Sequence, residues 1–277
     1  MNLVNELVEH TYVLNLDEDI YKYDILRVKL QELGIEHERF AASKWESDLT
    51  FEQQEESYRA AVDKYRGTVL FEPAVKWGGD NMKRCLGAYR APGAMGCVMS
   101  NLNIFRDAKE KKYKKILILQ DDIYFHNDFD KLIELHWLQI KQSKVFFLGA
   151  SEQTPYIRSS WSNPNWCYKK TKYRPGPETF GTFAVVFDES FYDDIIQMLE
   201  TQFYGCDQAV ALLCKFVYLA QCWVAYPNLV MADIRRSKTT LAVKRKTIQQ
   251  RPFAAYAENC GWDLRFYDLS NPYWPLD

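Results

Sequence analysis

The chain has 277 residues, a formal net charge of -2, 47% hydrophobic residues and 26% charged ones. That length can bury a large core as one large or two small domains, and the composition belongs to a globular protein rather than a disordered one. Near-neutral charge removes the overall electrostatic reason to expect nucleic acid.

Seven cysteines (Cys85, Cys97, Cys167, Cys206, Cys214, Cys222, Cys260) are odd in number and lack the close pairing of a zinc site. There is no Asn-x-Ser/Thr acceptor, and Met1 to His10 shows no basic-then-apolar leader pattern. The expectation is free, mostly buried thiols in a reducing compartment, and hence a cytoplasmic protein. The longest apolar region, Ala209 to Tyr226, contains Lys215 and Gln221. It reads as a buried helix running into a strand, not as a membrane span.

In chain order, Thr11 to Leu16 is a short β-rich run. The helical pattern after it places Ile25, Val28, Leu30 and Leu33 on one face and stops at Gly34. Ile35 to Ala42 can supply a second strand, and Phe51 to Arg66 a polar surface helix. Phe71 to Arg90 is loop-like. A helix over Gly93 to Lys111 follows, with Met95, Met99, Leu102, Ile104 and Phe105 as its apolar face and a basic C-terminal end.

Lys114 to Phe125 organises the rest: four aliphatics, Ile116 to Leu119, run straight into Gln120, Asp121 and Asp122. An apolar run without alternation reads as a strand buried on both faces. Ligands of open α/β sheets sit outside the carboxyl ends of such strands. Two adjacent carboxylates there repel each other, which a hard divalent cation relieves; the competing reading is a solvated turn.

Beyond this point Leu132, Leu135 and Leu138 suggest a helix, and Val145 to Gly149 a buried strand. Ser151 to Gly176, long and without periodicity, has the character of an active-site lid. Gly181 to Phe187 reads as a strand, Glu189 to Thr201 and Asp207 to Lys215 as helices, and Phe216 to Tyr226 ends in a strand. The last residues combine a basic run from Arg235 to Lys246 with an aromatic tail. Alternating strands and helices predict an α/β fold, with a main domain over 1–234 and a packed C-terminal extension over 235–277.

Three blocks in this order and spacing resemble glycosyltransferase family 25, the lipooligosaccharide and collagen galactosyltransferase group. They are Tyr12-Val13-Leu14-Asn15-Leu16-Asp17, Gly93-Ala94-Met95-Gly96-Cys97-Val98-Met99-Ser100 and Ile116-Leu117-Ile118-Leu119-Gln120-Asp121-Asp122. Weaker matches extend the resemblance over about 11–236. Gln120 stands where the family has Glu, Asn101 where it has His, and Lys22 where it usually has Arg. The resemblance implies a GT-A fold with a mixed, mostly parallel central sheet flanked by helices. It also implies inverting transfer of a hexose, galactose or glucose type, from a UDP-sugar with Mn²⁺ or Mg²⁺, to a glycan, lipooligosaccharide or hydroxylysine acceptor.

On that basis Asp122 is expected to bind the metal. Asp121 would be a further or water-mediated ligand, and Gln120 a ribose contact facing the same way as Asp122 if the segment is extended. Asn15 and Leu16 would meet the nucleoside, with Lys22 beside them, and Arg235 the diphosphate. Asp207, in Gly205-Cys206-Asp207-Gln208, matches the family's late Asp as general base or acceptor contact; the alternative is a helix cap. Gly93, Gly96 and Ser100 suit close helix–sheet packing, and Cys97 suits packing as well. Among the histidines His126 alone adjoins the acid pair.

Three other readings compete. A nucleotidyltransferase also places aspartates after a strand but would carry a Gly-rich loop after the first strand, where Asn15 to Asp19 has no glycine. A family member weakened by Gln120 and Asn101 would act as a nucleotide-sugar or glycan binding or scaffold protein. A nucleic-acid binder rests only on the C-terminal basic run.

Overall fold

The computed structural model describes residues 2–44, 92–152, 179–200, 205–233 and 262–270, together with 172, 173 and 175 and isolated positions at 53, 56, 59, 60, 63, 66, 67, 254, 257, 260 and 273. Its helices are α1 (Leu3–Leu7), α2 (Ile20–Glu32), α3 (Pro92–Glu110), α4 (Phe129–Gln142), α5 (Tyr192–Glu200) and α6 (Cys206–Phe216). The strands are β1 (His10–Asn15), β2 (Glu38–Ala41), β3 (Lys115–Gln120), β4 (Ile123–Phe125), β5 (Val145–Phe147), β6 (Ser151–Glu152), β7 (Lys172–Tyr173), β8 (Thr179–Phe180), β9 (Ala184–Asp188), β10 (Cys222–Ala225) and β11 (Val230–Ala232).

The described residues form a seven-stranded sheet in the order β2-β1-β3-β9-β5-β10-β7. β2, β1 and β3 are parallel, β5 and β10 are parallel, and β9 runs antiparallel between β3 and β5. The sheet is therefore mixed and mostly parallel, as expected, with β9 and the edge strand β7 reversed.

β3 is central because both of its faces are apolar. Ile116 and Ile118 join a core built with Val98, Leu102 and Phe105 of α3, Ile195 of α5 and Leu212 of α6. Leu117 and Leu119 join an opposite core with Leu26 and Leu30 of α2, Ile133 and Ile140 of α4, and Trp262, Tyr267 and Tyr273 near the C-terminus. The period-two alternation of one strand thus splits into two cores, which is why its sequence shows no alternation.

Helix boundaries follow local chemistry. Gly34, at φ +67, ends α2; its N–H donates to the Gln31 carbonyl and the Ile35 N–H reaches back to Leu30. That is the left-handed C-terminal cap that glycine permits. At the end of α4 the buried Lys115 ammonium donates to the carbonyls of Ile140, Lys141 and Ser143 at 3.1, 2.9 and 2.9 Å. A cation there answers both the unpaired carbonyls and the helix dipole.

Two predicted stripes shift. In α2 the buried residues are Lys22, Leu26 and Leu30, whereas Val28 is exposed. In α4 the core face is Phe129, Ile133, His136 and Ile140, while Leu135 and Leu138 are 52% and 51% exposed. In α4 the strict three-residue spacing of Leu132, Leu135 and Leu138 drifts off a helix face that the mixed fours and threes of the buried residues keep. The predicted strand over 181–187 starts only at Ala184, because Gly181 turns the chain at φ +99. Of the expected surface helix, Gln53, Glu56, Arg59, Ala60 and Asp63 are described as helical and exposed. The loop-like region 71–90, most of the proposed lid and the basic run 235–246 lie outside the described residues.

Cys206, Cys214, Cys222 and Cys260 are buried thiols in no disulfide, and Cys97 is a half-buried one; Cys85 and Cys167 lie outside the described residues. No described helix is long and apolar enough to cross a membrane.

Gly149 lets β5 pass directly under β11: a Cβ there would lie 1.8 Å from the Val230 carbonyl oxygen, a backbone atom with no room to yield. Gly149→Ala is therefore expected to destabilise the fold by about 3 kcal/mol, measurable as a lower urea midpoint with an unchanged m-value.

Candidate functional site

Parallel pairing of β1 with β3 puts Leu14 opposite Gln120, so the next residues, Asn15 at the end of β1 and Asp121 just past β3, lie side by side. Asn15 is 1% exposed, and its Nδ2 donates to Asp121 Oδ2 at 2.6 Å and to the Asp19 carbonyl at 3.0 Å. Gln120 is half-buried and anchored through its N–H to the Phe183 carbonyl at 2.8 Å.

The chain bends at Asp121-Asp122 before β4 begins. The extended geometry expected to align Gln120 with Asp122 is therefore interrupted: Asp121 goes to Asn15, and Asp122 goes inward. At the bend, Asp122's carbonyl accepts the Asp233 N–H at 2.7 Å. Antiparallel pairing of β11 with β4 brings Asp233 there, next to the register pair Ala232 and Ile123. Asp233 is fully buried, and its Oδ2 accepts from Tyr124 Oη at 3.0 Å. Tyr273 covers this side, donating its hydroxyl to the Ile123 carbonyl at 2.8 Å and its N–H to Tyr124 Oη at 3.1 Å.

Four carboxylates (Asp19, Asp121, Asp122 and Asp233) thus act on a corner in which, among the described residues, Lys22 supplies the opposing positive charge. Lys22 is 6% exposed and lies 3.4 Å from Asp19 Oδ2. Burial pulls its pKa down, but the fields of Asp121, Asp122 and Asp19 outweigh burial and hold it above the ordinary lysine value. Asp121 is raised by burial, against the opposing pull of Lys22 and the Asn15 hydrogen bond. Asp122 is pushed up to about 8 by burial and then by the negative charges of Asp121 and Asp233, with Lys22 opposing. Its Oδ1 is buried without a hydrogen-bond partner among the described residues.

An orphaned, charge-crowded carboxylate oxygen fits a hard divalent cation. Among the described residues no three His, Cys, Asp or Glu side chains converge on one point. The protein would then supply one or two oxygens, with water and phosphate oxygens completing the shell, as Mg²⁺ sites commonly do.

Leu16 follows β1 in a half-buried turn whose carbonyl accepts the Asp19 N–H at 2.9 Å. Asp207 stands at the start of α6, behind the cap residue Gly205, so it does not cap its helix. Its carboxylate accepts from the N–H groups of Gly181 and Thr182, both at 3.2 Å, and from the Thr182 hydroxyl at 2.7 Å. Because β9 is antiparallel to β3, this turn lies at the same sheet edge as the acid pair, and Phe183 beside it holds Gln120. Arg235 lies outside the described residues.

Asn101, where the resemblance implied a His, is 1% exposed and donates to its own helix at the Cys97 carbonyl, 2.9 Å away. Ser100 Oγ likewise donates to the Gly96 carbonyl at 2.6 Å and accepts from the Ser43 N–H at 2.8 Å, a packing role as expected. His126 is accounted for structurally: its Nδ1 accepts from the Asp128 N–H at 3.0 Å and its ring stacks on Phe266. The polar groove beside it, about 320 Å³, is lined by ion-paired Lys29, Asp128, Lys131 and Asp268 and stands apart from the acid pair.

Two residues of the corner, Asp233 and Arg39, were not assigned to it from the sequence, although Asp233 lies in one of the weaker family-like segments, Tyr226 to Ile234. Asp233 carried a usable signal, since Val230-Met231-Ala232-Asp233 repeats the β3 pattern of an apolar strand ending in an acid. Arg39 carried none. Its Nε donates to Asn15 Oδ1 at 2.8 Å, and one terminal nitrogen reaches Asp17 Oδ1 at 2.5 Å.

The direction of the Asp122 shift fixes the sign of a pH effect. A carboxyl whose folded pKa lies above its unfolded value costs stability as pH rises from the ordinary carboxylate range through about 8. Without added metal, Asp122→Asn is expected to stabilise the protein by on the order of 1 kcal/mol or more at pH 8 and to do nothing near pH 4. Thermal melts across that range, where an unchanged difference contradicts the buried-charge account, provide the check.

Residues 8–175 match the family model described as glycosyltransferase family 25 (LPS biosynthesis protein). No curated protein matches the chain. The matched region runs from just before β1 through the acid pair to just past β7 and stops short of Asp207, so the resemblance seen over 11–236 is matched in nearly its first three quarters. With more than half its length matched, the chain belongs to glycosyltransferase family 25, a family whose members transfer a sugar from a donor to an acceptor.

Proposed function

We infer that the chain is a metal-assisted hexosyltransferase of the GT-A type, moving a galactose- or glucose-type sugar from a UDP-sugar, with inversion, to a glycan, lipooligosaccharide or hydroxylysine acceptor. The single observation that carries the reading is the buried, unpartnered Asp122 Oδ1 at the carboxyl end of the central strand. Among the described residues no group hydrogen-bonds it, and it would serve to hold a Mn²⁺ or Mg²⁺ ion. When bound, that ion supplies Lewis-acid stabilisation of charge on the departing nucleotide.

The chain's own residues have separable roles in this reading. Asp122 holds the cation, and Asp121 stands behind it through a water or as a second oxygen. Gln120, half-buried at the strand end, offers its amide to the ribose. Leu16 borders the nucleoside, Lys22 balances the acid corner, and Arg235 pairs with the diphosphate. Asp207 takes the acceptor proton or orients the acceptor. Its place at the sheet edge supports this, and its bonds to the 181–182 turn give it a loop-holding role as well.

A second reading, a family member that binds its ligand without turnover, is favoured by Gln120 in place of a third acid and by the lack of a three-residue metal cluster among the described residues. Incubating the full chain with a panel of UDP-hexoses and Mn²⁺ and measuring released UDP separates the two. Metal-dependent release from at least one donor is expected; saturable binding with no release would establish the binding protein.

Within the enzyme reading, Asp122→Asn should cost on the order of 10²-fold in rate, and a loss smaller than about threefold would overturn the assignment.

A further inference from the structure

We propose that Arg39 is a positioning residue, which acts through Asn15 to hold the Asp121 carboxylate in place beside the cation. The inference rests on the metal-assisted reading above and assigns Asn15 a different task from the nucleoside contact expected of it. A guanidinium has only donors, so the oxygen of the Asn15 amide must be the atom that meets Arg39 Nε at 2.8 Å. The orientation of that amide is thereby settled. Its two N–H groups point away from Arg39, one to Asp121 Oδ2 at 2.6 Å and the other to the Asp19 carbonyl at 3.0 Å.

Every one of these groups is then committed. Asn15 is 1% exposed, and its amide donates both hydrogens within the protein. Arg39 is itself fixed at its other end by Asp17 and lies over the Tyr23 ring, 5.9 Å from its centroid. A line of contacts runs from the edge strand β2 through β1 to the bend after β3, each joint a directed hydrogen bond. Partners of this kind behind a ligand set its orientation, and their loss typically costs 10- to 100-fold in metal affinity. With Asp121 Oδ2 tied to Asn15, Asp122 Oδ1 remains the free inner oxygen of the acid pair.

The test uses the full-length chain and two readouts. The first is the side-chain amide signal of Asn15 in protein labelled with ¹⁵N-asparagine, identified by its loss in Asn15→Ser. The second is Mn²⁺ affinity in the presence of UDP, read from the spin-resonance signal of free Mn²⁺. Arg39→Met is expected to shift the Asn15 signal and weaken Mn²⁺ about tenfold. Arg39→Lys, which can still donate to Asn15, should stay within about threefold. In an Asp121→Asn background Arg39→Met should add less than about twofold, because the pathway through Asp121 is already cut.

Asn15→Ser, which breaks the line at its middle, goes through the same cycle and should match Arg39→Met, so the idea remains testable if one variant folds poorly. Fully additive losses, or an Asn15 signal that Arg39→Met leaves in place, would overturn the assignment of Arg39 while leaving the cation reading intact. Mn²⁺ affinity that does not respond to Asp122→Asn would instead remove the cation reading itself, and the positioning role with it.

Discussion

A carboxylate taken out of water without a partner is among the most expensive groups a fold can carry. Asp122 is buried, its Oδ1 has no hydrogen-bond partner among the described residues, and burial raises its pKa to about 8. The two-faced β3 fixes where the strand ends, β4 and β11 pin the bend through the Asp122 carbonyl, and Tyr273 covers it from the C-terminal segment. Nearby Asp121 and Asp233 raise the cost of ionising it rather than lowering it, and Lys22 offsets only part of that field. A protein selected for stability alone would place an amide or an apolar residue there.

The corner also shows how mixed topology serves chemistry. A purely parallel sheet would bring only strand carboxyl ends to this edge. With β9 reversed, the turn before it, Gly181 to Phe183, arrives at the end of β3, and with it come the start of α6 and Asp207. The Phe183 carbonyl holds Gln120 while Asp207 holds Gly181 and Thr182. The donor-side and acceptor-side candidates are therefore mechanically joined through three residues of backbone. The position of one depends on the other.

The departures from the family pattern have unequal weight. Asn101 is buried and spends its amide on its own helix, so the loss of a histidine there is absorbed by packing rather than felt in the corner. Gln120 sits at the half-buried rim of the acid pair, where exchange of a carboxylate for an amide removes a charge from a place already crowded with them. Lys22 in place of arginine keeps the charge but gives up the forked geometry. Its position at the head of the buried stripe Lys22–Leu26–Leu30 delivers that charge to the acids through an apolar helix face.

What could be read from the chain alone was whatever local pattern dictates. The unalternating run Ile116 to Leu119 announced a doubly buried strand and Gly34 announced a helix end, because each depends on residues within a turn or two of one another. Tertiary contact decided the rest. Whether Leu135 and Leu138 or Ile133 and His136 face inward depends on the partner that α4 packs against, and periodicity alone reads both stripes as plausible. That Asp233, more than a hundred residues along the chain, would bond back to Asp122, and that Arg39 would aim the amide of Asn15, are consequences of strand order and register. Hydrogen bonds between such distant residues leave no spacing in the sequence, since only the folded sheet sets the distance between them.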